Sequence, residues 1–222
     1  MSEEMTKHDQ KLEFILQNAA RIFAEKGYHS TSMRDISRET KVSLAGLYHY
    51  CRSKDELLFL IQDNCFRRVL ENAKRRLLPT LNPVDALRVF IENHLAFFAA
   101  NMAEMKVLSH ESESLGGEMG KQVSSTKRQY TKLAQELLAN IQSSSNGAKN
   151  SVDLTVATYA LFGMMNWIYN WYDPMGKLSV NELIDNVTRL FLNGFVGMDA
   201  FTPMVDDQSA VRERMNIWRT NG

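Results

Sequence analysis

Apolar residues recur three and four positions apart along nearly every long segment of the chain, and this spacing constrains the fold more than any other feature. In the first long segment, Ile15, Ala19 and Ile22 fall on one face of a helix. Gly27 follows at a position where glycine commonly ends a helix. Strand-like alternation bounded by turn residues is missing from the sequence. The pattern therefore predicts an all-α protein of about nine helices.

Helix-capping residues divide the next stretch into two short helices. Ser32 and Asp35 resemble a capping box and predict a helix of about two turns that ends near Glu39. Ser43 is placed to cap a second short helix over 44–50. Two such helices joined by a short turn form a helix-turn-helix, a motif that places its second helix in the major groove of DNA.

A long helix is expected to follow this motif. Ser53 and Glu56 have the spacing of a full capping box, so they predict its start. The helix should end near residue 78, because Pro79 disfavours helical backbone in the residue before it. Beyond Pro79, the periodicity predicts further helices at about 83–101, 103–114, 118–142, 151–172 and 179–198.

The distribution of charge around the predicted helix-turn-helix favours a DNA partner. The formal net charge is zero, but basic residues outnumber acidic ones around the predicted helix-turn-helix. A local excess of positive charge suits a DNA backbone even where the whole chain is neutral. Between residues 30 and 54 the charged residues are Arg34, Arg38, Lys41, Arg52 and Lys54 against Asp35 and Glu39.

The sequence gives no sign of secretion, membrane insertion or catalysis. Cys51 and Cys65 are too few for a disulfide framework and lack zinc-site spacing, so we expect reduced thiols. No run approaches the roughly 18 consecutive apolar residues of a membrane helix, and the polar start does not resemble a signal peptide. Phosphate-binding loops and nucleophile motifs are missing. We therefore expect a cytoplasmic protein that is not an enzyme and has no cofactor, metal or membrane partner.

The second short helix carries the candidates for reading DNA bases. Leu44 and Ala45 suit apolar contact with thymine methyl groups, and Gly46 would let the helix approach closely. Tyr48 and His49 can donate hydrogen bonds to phosphates or base edges, although both could be ordinary surface residues. Helix N-termini and nearby cations favour phosphate contacts. The candidates for those contacts are Thr31, Ser32, Arg34, Lys41, Ser43 and Lys54.

The run IFAEKGYHSTSMRDISRETKVSLAGLYHYCRSKDELL, residues 22–58, resembles the DNA-binding domain of the TetR family of bacterial transcriptional regulators. The resemblance covers roughly residues 12–60 without a gap. It implies operator DNA as the partner. The residues that fall where this family contacts DNA are Thr31, Ser43, Tyr48, His49 and Lys54.

Two positions depart from the family pattern. Lys41 stands where the family often has a turn glycine, and a left-handed lysine costs about 1 kcal/mol. Cys51 stands where the family usually has phenylalanine or an aliphatic residue. The family position faces inward, which favours Cys51 as a small apolar plug. A redox role stays open, because Arg52, Lys54 and a helix N-terminus would lower the pKa of a nearby thiol.

The C-terminal half resembles one branch of the family. The run FGMMNWIYNWYDPMGKLSVNELIDNVTRLFLNGF, residues 162–195, is similar to the last two helices of regulators that control fatty-acid or sterol breakdown and respond to acyl-CoA thioesters. In this family those two helices pair with their copies in a dimer. The implied interface residues are Ala157, Ala160, Gly163, Trp171, Leu190 and Gly194.

An apolar ligand pocket is implied among the middle helices, although most of their large side chains would simply form core. The candidate lining residues are Phe98, Met102, Met105, Tyr130, Met164 and Trp167. We thus expect a DNA-binding domain at 8–56, a ligand-binding and dimerisation domain at 57–200, and a tail at 201–222 that is a short helix or disordered.

These features favour a homodimeric repressor that a small apolar effector, such as an acyl-CoA thioester, releases from operator DNA. One alternative is a DNA-binding regulator without a small effector that a protein partner controls. An all-helical enzyme with an incidental helix-turn-helix is a further alternative, which would need a titratable cluster deep in the C-terminal half.

Overall fold

The computed structural model describes residues 6–144 and 152–196. All regular elements in these two segments are helical, which confirms the all-α prediction. The predicted tail at 201–222 lies outside the described residues. The helices are α1 (Lys7–Lys26), α2 (Met33–Thr40), α3 (Leu44–Tyr50), α4 (Lys54–Arg76), α5 (Pro83–Ala99), α6 (Met102–His110), α7 (Gly117–Ser144), α8 (Leu154–Asn166), a 3-10 turn (Trp167–Asn170) and α9 (Val180–Val196).

The caps of α2 and α4 differ from each other. Ser32 Oγ accepts from the Asp35 amide at 3.2 Å and the Asp35 carboxylate accepts from the Ser32 amide at 3.0 Å, so this capping box is complete. The Ser32 hydroxyl and the Ser32 amide both donate to this carboxylate, and these two bonds lower the pKa of Asp35 to about 2. Ser53 caps α4, but the Glu56 carboxylate accepts from the amide of Arg52 instead of Ser53. The prediction of a full capping box at Ser53 was therefore wrong: Ser53 caps the helix, but the Glu56 carboxylate does not accept the expected bond from the Ser53 amide.

The helix expected at 151–172 is shorter than the periodicity suggested. It begins after Asp153, whose carboxylate accepts from the amides of Thr155 and Val156 at 2.8 and 3.0 Å. It ends at Asn166, and a single 3-10 turn follows. Pro174 lies a few residues further along, and a helix usually tightens and stops before a proline.

The buried apolar side chains form two clusters. The N-terminal cluster joins α1, α2 and α3 to the first half of α4, through residues such as Ile22, Leu47 and Ile61. The C-terminal cluster joins the second half of α4 to α5, α7, α8 and α9, through residues such as Val69 and Phe90. Helix α4 therefore belongs to both clusters and connects them.

Helix α6 also touches both clusters. Val107 packs in the N-terminal cluster, whereas Met105 and Leu108 pack in the C-terminal cluster. Among the described residues, none of the helices is both long and apolar enough to cross a membrane.

Candidate DNA-binding surface and ligand cavity

Helix α3 presents one face to solvent and packs its other face on the N-terminal cluster. Its start is fixed by Ser43, whose Oγ accepts from the amide of Gly46 at 3.1 Å. Leu47 is fully buried, while Tyr48 is 48% exposed and His49 is exposed. The outward face therefore carries two aromatic side chains that can donate hydrogen bonds.

The first turn of α3 is tightly packed. Leu44 is half-buried against the N-terminal cluster and Ala45 is exposed. A Cβ at Gly46 would lie 3.0 Å from Val42 Cγ1 and 3.1 Å from Ser43 Oγ. A larger residue at Gly46 would need Val42 or Ser43 to shift by a few tenths of an ångström, a packing reason for glycine that the sequence alone did not suggest.

Lys54 and Thr31 are engaged inside the protein. The Lys54 ammonium donates to the main-chain oxygens of Tyr28, His29 and Thr31 at 2.9, 3.4 and 3.0 Å. The Thr31 hydroxyl is buried and donates to the Gly27 oxygen at 2.8 Å. Both groups, which we expect at DNA phosphates, thus also bond within the protein: the Lys54 ammonium links the start of α4 to the chain before α2, and the Thr31 hydroxyl bonds within that chain.

Three other candidates for phosphate contacts are exposed. Ser32 lies at the start of α2, where it caps the helix, and Arg34 follows in the first turn. Lys41 lies in the turn between α2 and α3. In the part of the chain that the structure describes, Arg34 and Lys41 form no ion pair, so both charges remain available to an anion.

Lys41 adopts the left-handed conformation, with φ of 54°, that the family pattern assigns to glycine. Side chains on both sides hold this turn. The Thr40 hydroxyl donates to the Ile36 oxygen at 2.7 Å and accepts from the Val42 amide at 3.3 Å. The Ser37 hydroxyl donates to the Val42 oxygen at 2.7 Å. These bonds offset the modest cost of a non-glycine residue in this conformation.

Cys51 is a buried side chain of the N-terminal cluster and is 2% exposed. Its thiol lies 3.5 Å from the main-chain oxygen of Leu47. Burial, with a smaller effect from Glu56, raises the pKa of the Cys51 thiol to about 11. The thiol is therefore neutral near pH 7, which favours the apolar plug over a reactive thiolate.

A cavity of about 330 Å³ opens between α4, α5, α6, α7 and α8. This volume lies at the lower end of the range of small-molecule sites, about 300–1,000 Å³. Its wall is mainly aromatic and aliphatic, with a few polar groups. The lining residues are Phe66, His94, Phe98, Met105, Leu108, Ser109, Ser112, Lys127, Tyr130, Tyr159, Phe162 and Asn166.

The six ligand candidates fall into two groups. Phe98, Met105 and Tyr130 line the cavity. Met102 and Met164 are half-buried against the C-terminal cluster and do not line it. Trp167 is 60% exposed and also lies outside the cavity wall. Trp167 follows the end of α8, so the change to a 3-10 turn alters the direction of its side chain relative to a continuous helix.

His94 is a cavity residue that the sequence interpretation missed. The side chain is buried, with Nδ1 3.2 Å from the Tyr130 hydroxyl and Nε2 3.1 Å from Asn166 Oδ1. Burial lowers the pKa of His94 to about 3, so the ring is neutral near pH 7. A histidine one turn from Phe90 and Phe98 on the apolar face of α5 was the available signal.

Helices α8 and α9 expose a large apolar surface, together with the 3-10 turn between them. Tyr159, Trp171 and Leu190 are 65%, 54% and 69% exposed. Ala160, Gly163 and Gly194 are also exposed and add little bulk to this surface. Ala157 departs from the expected interface, because it is 3% exposed and packs in the C-terminal cluster of its own chain. An apolar surface of this kind is typical of a protein–protein contact.

Two features together define a class of protein: the exposed face of α3 on its buried support, and the cavity among α4 to α8. This is a helix-turn-helix DNA-binding protein whose DNA-binding helices are joined to a helical, cavity-containing body.

Comparison with known proteins gives the family. Residues 15–61 match the model of "Bacterial regulatory proteins, tetR family", and residues 80–195 match that of "Tetracyclin repressor-like, C-terminal domain". The second match alone spans more than half of the chain. The chain belongs to the TetR family of bacterial transcriptional regulators.

Individual relatives agree with this assignment. The transcriptional regulator HbdR of Aromatoleum sp. is 34% identical over 33% of this chain and 32% of its own length. Several curated relatives, HbdR among them, are matched over only 31–35% of their length. The transcriptional repressor KstR2 of Mycobacterium tuberculosis is 25% identical over 81% of this chain and 90% of its own.

The similarity to one solved structure covers nearly the whole length of that relative. AibR, crystallised with isovaleryl coenzyme A and operator DNA, is 30% identical to this chain. The alignment covers 81% of this chain and 97% of AibR, with a TM-score of 0.70. The helix-turn-helix and the C-terminal helices therefore follow one shared architecture.

Proposed function

We propose that the protein is a homodimeric repressor that a small apolar effector releases from operator DNA. The observation that carries the proposal is the position of α6. Met105 and Leu108 on this helix line the cavity, while Val107 between them packs in the N-terminal cluster. A ligand that moves α6 would therefore act directly on the packing that supports the helix-turn-helix.

The DNA contact centres on α3. Ala45, Tyr48 and His49 are exposed on its outer face and would meet base edges or phosphates in the major groove. Arg34 and Lys41 would add salt-dependent contacts with the backbone. Lys54 would act indirectly, because its bonds to Tyr28 and Thr31 hold α4 against the chain before α2, and the Thr31 hydroxyl would stabilise that chain through its bond to Gly27. Ser32, Ser43, Leu44 and Gly46 would shape the same surface and its helix N-termini.

The cavity supports an apolar effector over control by a protein partner alone. Phe66, Phe98 and Phe162 give it an aromatic wall inside the C-terminal helices. AibR, which aligns with this chain over 97% of its own length, was crystallised with isovaleryl coenzyme A. An acyl-CoA thioester is accordingly the first effector class to test.

The exposed surface of α8 and α9 would be the dimer interface. Trp171 and Leu190 would provide its apolar contacts, and Gly163 and Gly194 would allow helices to approach closely. A two-fold dimer would place two α3 helices in successive major grooves of a palindromic site, one helical turn or a multiple apart.

A mobility-shift assay tests the proposal. The probe is the DNA upstream of the protein's own gene, with a scrambled fragment of equal length as control. We expect specific binding at moderate salt and release by short-chain acyl-CoA thioesters. A folded protein that binds both fragments equally would overturn the operator assignment. Specific binding that no acyl-CoA thioester reverses would favour control by a partner protein.

A further inference from the structure

Three aromatic rings connect the first turn of α1 to the last turn of α3. The centroid of the His8 ring lies 4.8 Å from that of Tyr50 and 6.1 Å from that of His49. The rings of His49 and Tyr50 meet edge to face, with centroids 5.4 Å apart. His49 is exposed on the outer face of α3, the face that carries the proposed DNA contact. The start of α1 therefore borders this surface, although it lies outside the helix-turn-helix in sequence.

His8 is held in place on one side and open to solvent on the other. Tyr50, which contacts its ring, is half-buried and packs against the N-terminal cluster. His8 Nδ1 lies 3.8 Å from the Asp9 carboxylate, and the His8 side chain is 55% exposed. The other ring nitrogen, Nε2, forms no hydrogen bond with the described residues, so a group outside the protein can reach it.

Lys7 adds a positive charge to the same turn. It is exposed and forms no ion pair with any described residue. Asp9 is the acidic residue of this turn, and its carboxylate accepts from the Thr6 amide and hydroxyl at 3.2 and 2.7 Å. Lys11, one turn further along, is a second exposed cation. Basic residues therefore outnumber the acidic one over residues 7–11, and the acidic one is bonded to the helix cap.

The chemistry of this turn fits the phosphate backbone of DNA. Residues 6–11 are all polar and exposed, unlike the apolar surface of α8 and α9 that suits a protein contact. The N-terminal residues of a recognition helix contact base edges, and its last turn lies nearer the backbone. Groups beside that last turn therefore meet phosphates, which accept hydrogen bonds and favour cations.

We propose that the first turn of α1 is part of the DNA-binding surface, where Lys7 and His8 contact phosphates beside the groove that α3 enters. His8 Nε2–H donates to one phosphate oxygen, and the Lys7 ammonium binds the same phosphate or its neighbour. This inference rests on the proposed DNA-binding function and adds contacts from outside the helix-turn-helix. These contacts position the protein on the duplex and do not read its sequence.

The salt dependence of DNA binding tests the role of Lys7. Fluorescence anisotropy on the full chain uses two labelled duplexes, the fragment upstream of its own gene and an unrelated sequence of equal length. In Lys7→Ala, the slope of log affinity against log salt should decrease by about 1 on both duplexes. Lys74→Ala is the matched control, because Lys74 is exposed in the last turn of α4, at the end far from the helix-turn-helix. Equal slopes in wild type and Lys7→Ala would overturn the inference.

His8→Phe tests the hydrogen bond separately from the ring packing. The change keeps a ring on Tyr50 and removes the nitrogen donor, so DNA affinity should fall about tenfold while the melting temperature stays unchanged. His110→Phe is the matched control, because His110 is also exposed and its ring centroid lies 5.6 Å from that of a tyrosine, Tyr169. That control should bind DNA normally. Unchanged DNA affinity in His8→Phe would remove His8 from the surface.

Ethylation interference on the upstream fragment locates the contact. Ethylation of a phosphate at the edge of each half-site should weaken binding of the wild type but leave Lys7→Ala unaffected. An identical interference pattern in both proteins would overturn the inference, because a purely structural role of this turn changes no single phosphate. If the upstream fragment is not bound specifically, a lower slope for Lys7→Ala on the unrelated duplex still supports the inference. In that case only the operator assignment fails.

Discussion

Gln62, in the middle of α4, donates a hydrogen bond of 2.8 Å to the main-chain oxygen of Glu111, the residue that follows α6. The Gln62 side chain is buried in the described structure. His29, from the chain before α2, lies 3.8 Å from the Glu111 carboxylate on the same turn. The end of α6 therefore contacts α4 through Gln62 and the chain before α2 through His29.

Gln62→Leu should reduce the loss of DNA affinity that the effector causes, without weakening effector binding. The change removes the bond to Glu111 but leaves the cavity wall intact, so α6 can move without displacing α4. Calorimetry should give an unchanged effector affinity, and mobility shifts should give a smaller loss of DNA affinity on effector addition. Gln122→Leu, which removes an exposed bond between α7 and Asp63 of α4, is the control. Equal responses in the two variants would contradict this prediction.

Arg34→Ala should lower DNA affinity and its salt dependence together. Arg34 is exposed beside α3 and forms no ion pair with the described residues, so its charge is available to a phosphate. The slope of log affinity against log salt should decrease by about 1 for each phosphate contact removed. Arg128→Ala, at an exposed position on α7, should leave the slope unchanged. An unchanged slope in Arg34→Ala would remove this residue from the DNA-binding surface.

Lys54→Met should act on stability more than on salt dependence. Its ammonium bonds to three main-chain oxygens and lies 4.4 Å from the centre of the Tyr28 ring. Loss of these bonds should reduce the free energy of unfolding by about 1–3 kcal/mol. Urea unfolding measures this loss, and the salt slope of DNA binding should stay within error of the wild type. A lower slope with unchanged stability would restore Lys54 as a phosphate contact.

The stability of the protein should fall between pH 6.5 and pH 5, in part because of His94. Burial lowers the folded-state pKa of His94 to about 3, so in this range only the unfolded chain takes up the proton. Stability is full above the unfolded pKa of about 6.5 and decreases as pH falls, by up to about 1.4 kcal/mol per pH unit. His94→Gln should remove this part of the pH dependence in urea titrations. His110→Gln, outside the cavity wall, should retain it.

The local features of the fold could be predicted from sequence, and the tertiary ones could not. Ser32 and Ser43 cap helices through atoms only three residues away, so their spacing was sufficient. The cavity role of His94 depends on Tyr130 and Asn166, which are 36 and 72 positions distant. Lys54 illustrates the same limit, because the main-chain oxygens that its ammonium contacts lie 23–26 positions earlier in the chain.

Leu190→Glu should separate the dimer without unfolding the chain. Leu190 is 69% exposed on α9, so its replacement should change the stability of a single chain little. A dimer would instead bury the new charge beside apolar groups, which is unfavourable. We expect light scattering after size exclusion to give a monomer for this variant and a dimer for the wild type. Specific DNA binding should fall sharply, because one α3 helix reads too few bases.

Leu78→Glu provides the matched control for this last change. Leu78 is also a strongly exposed leucine, 58% exposed, but it follows the end of α4 and belongs to neither α8 nor α9. The control variant should remain a dimer and bind the operator normally. Thioester binding measured by calorimetry should persist in both variants, since neither residue lines the cavity. A dimeric Leu190→Glu protein with normal DNA affinity would exclude the exposed surface of α8 and α9 as the dimer interface.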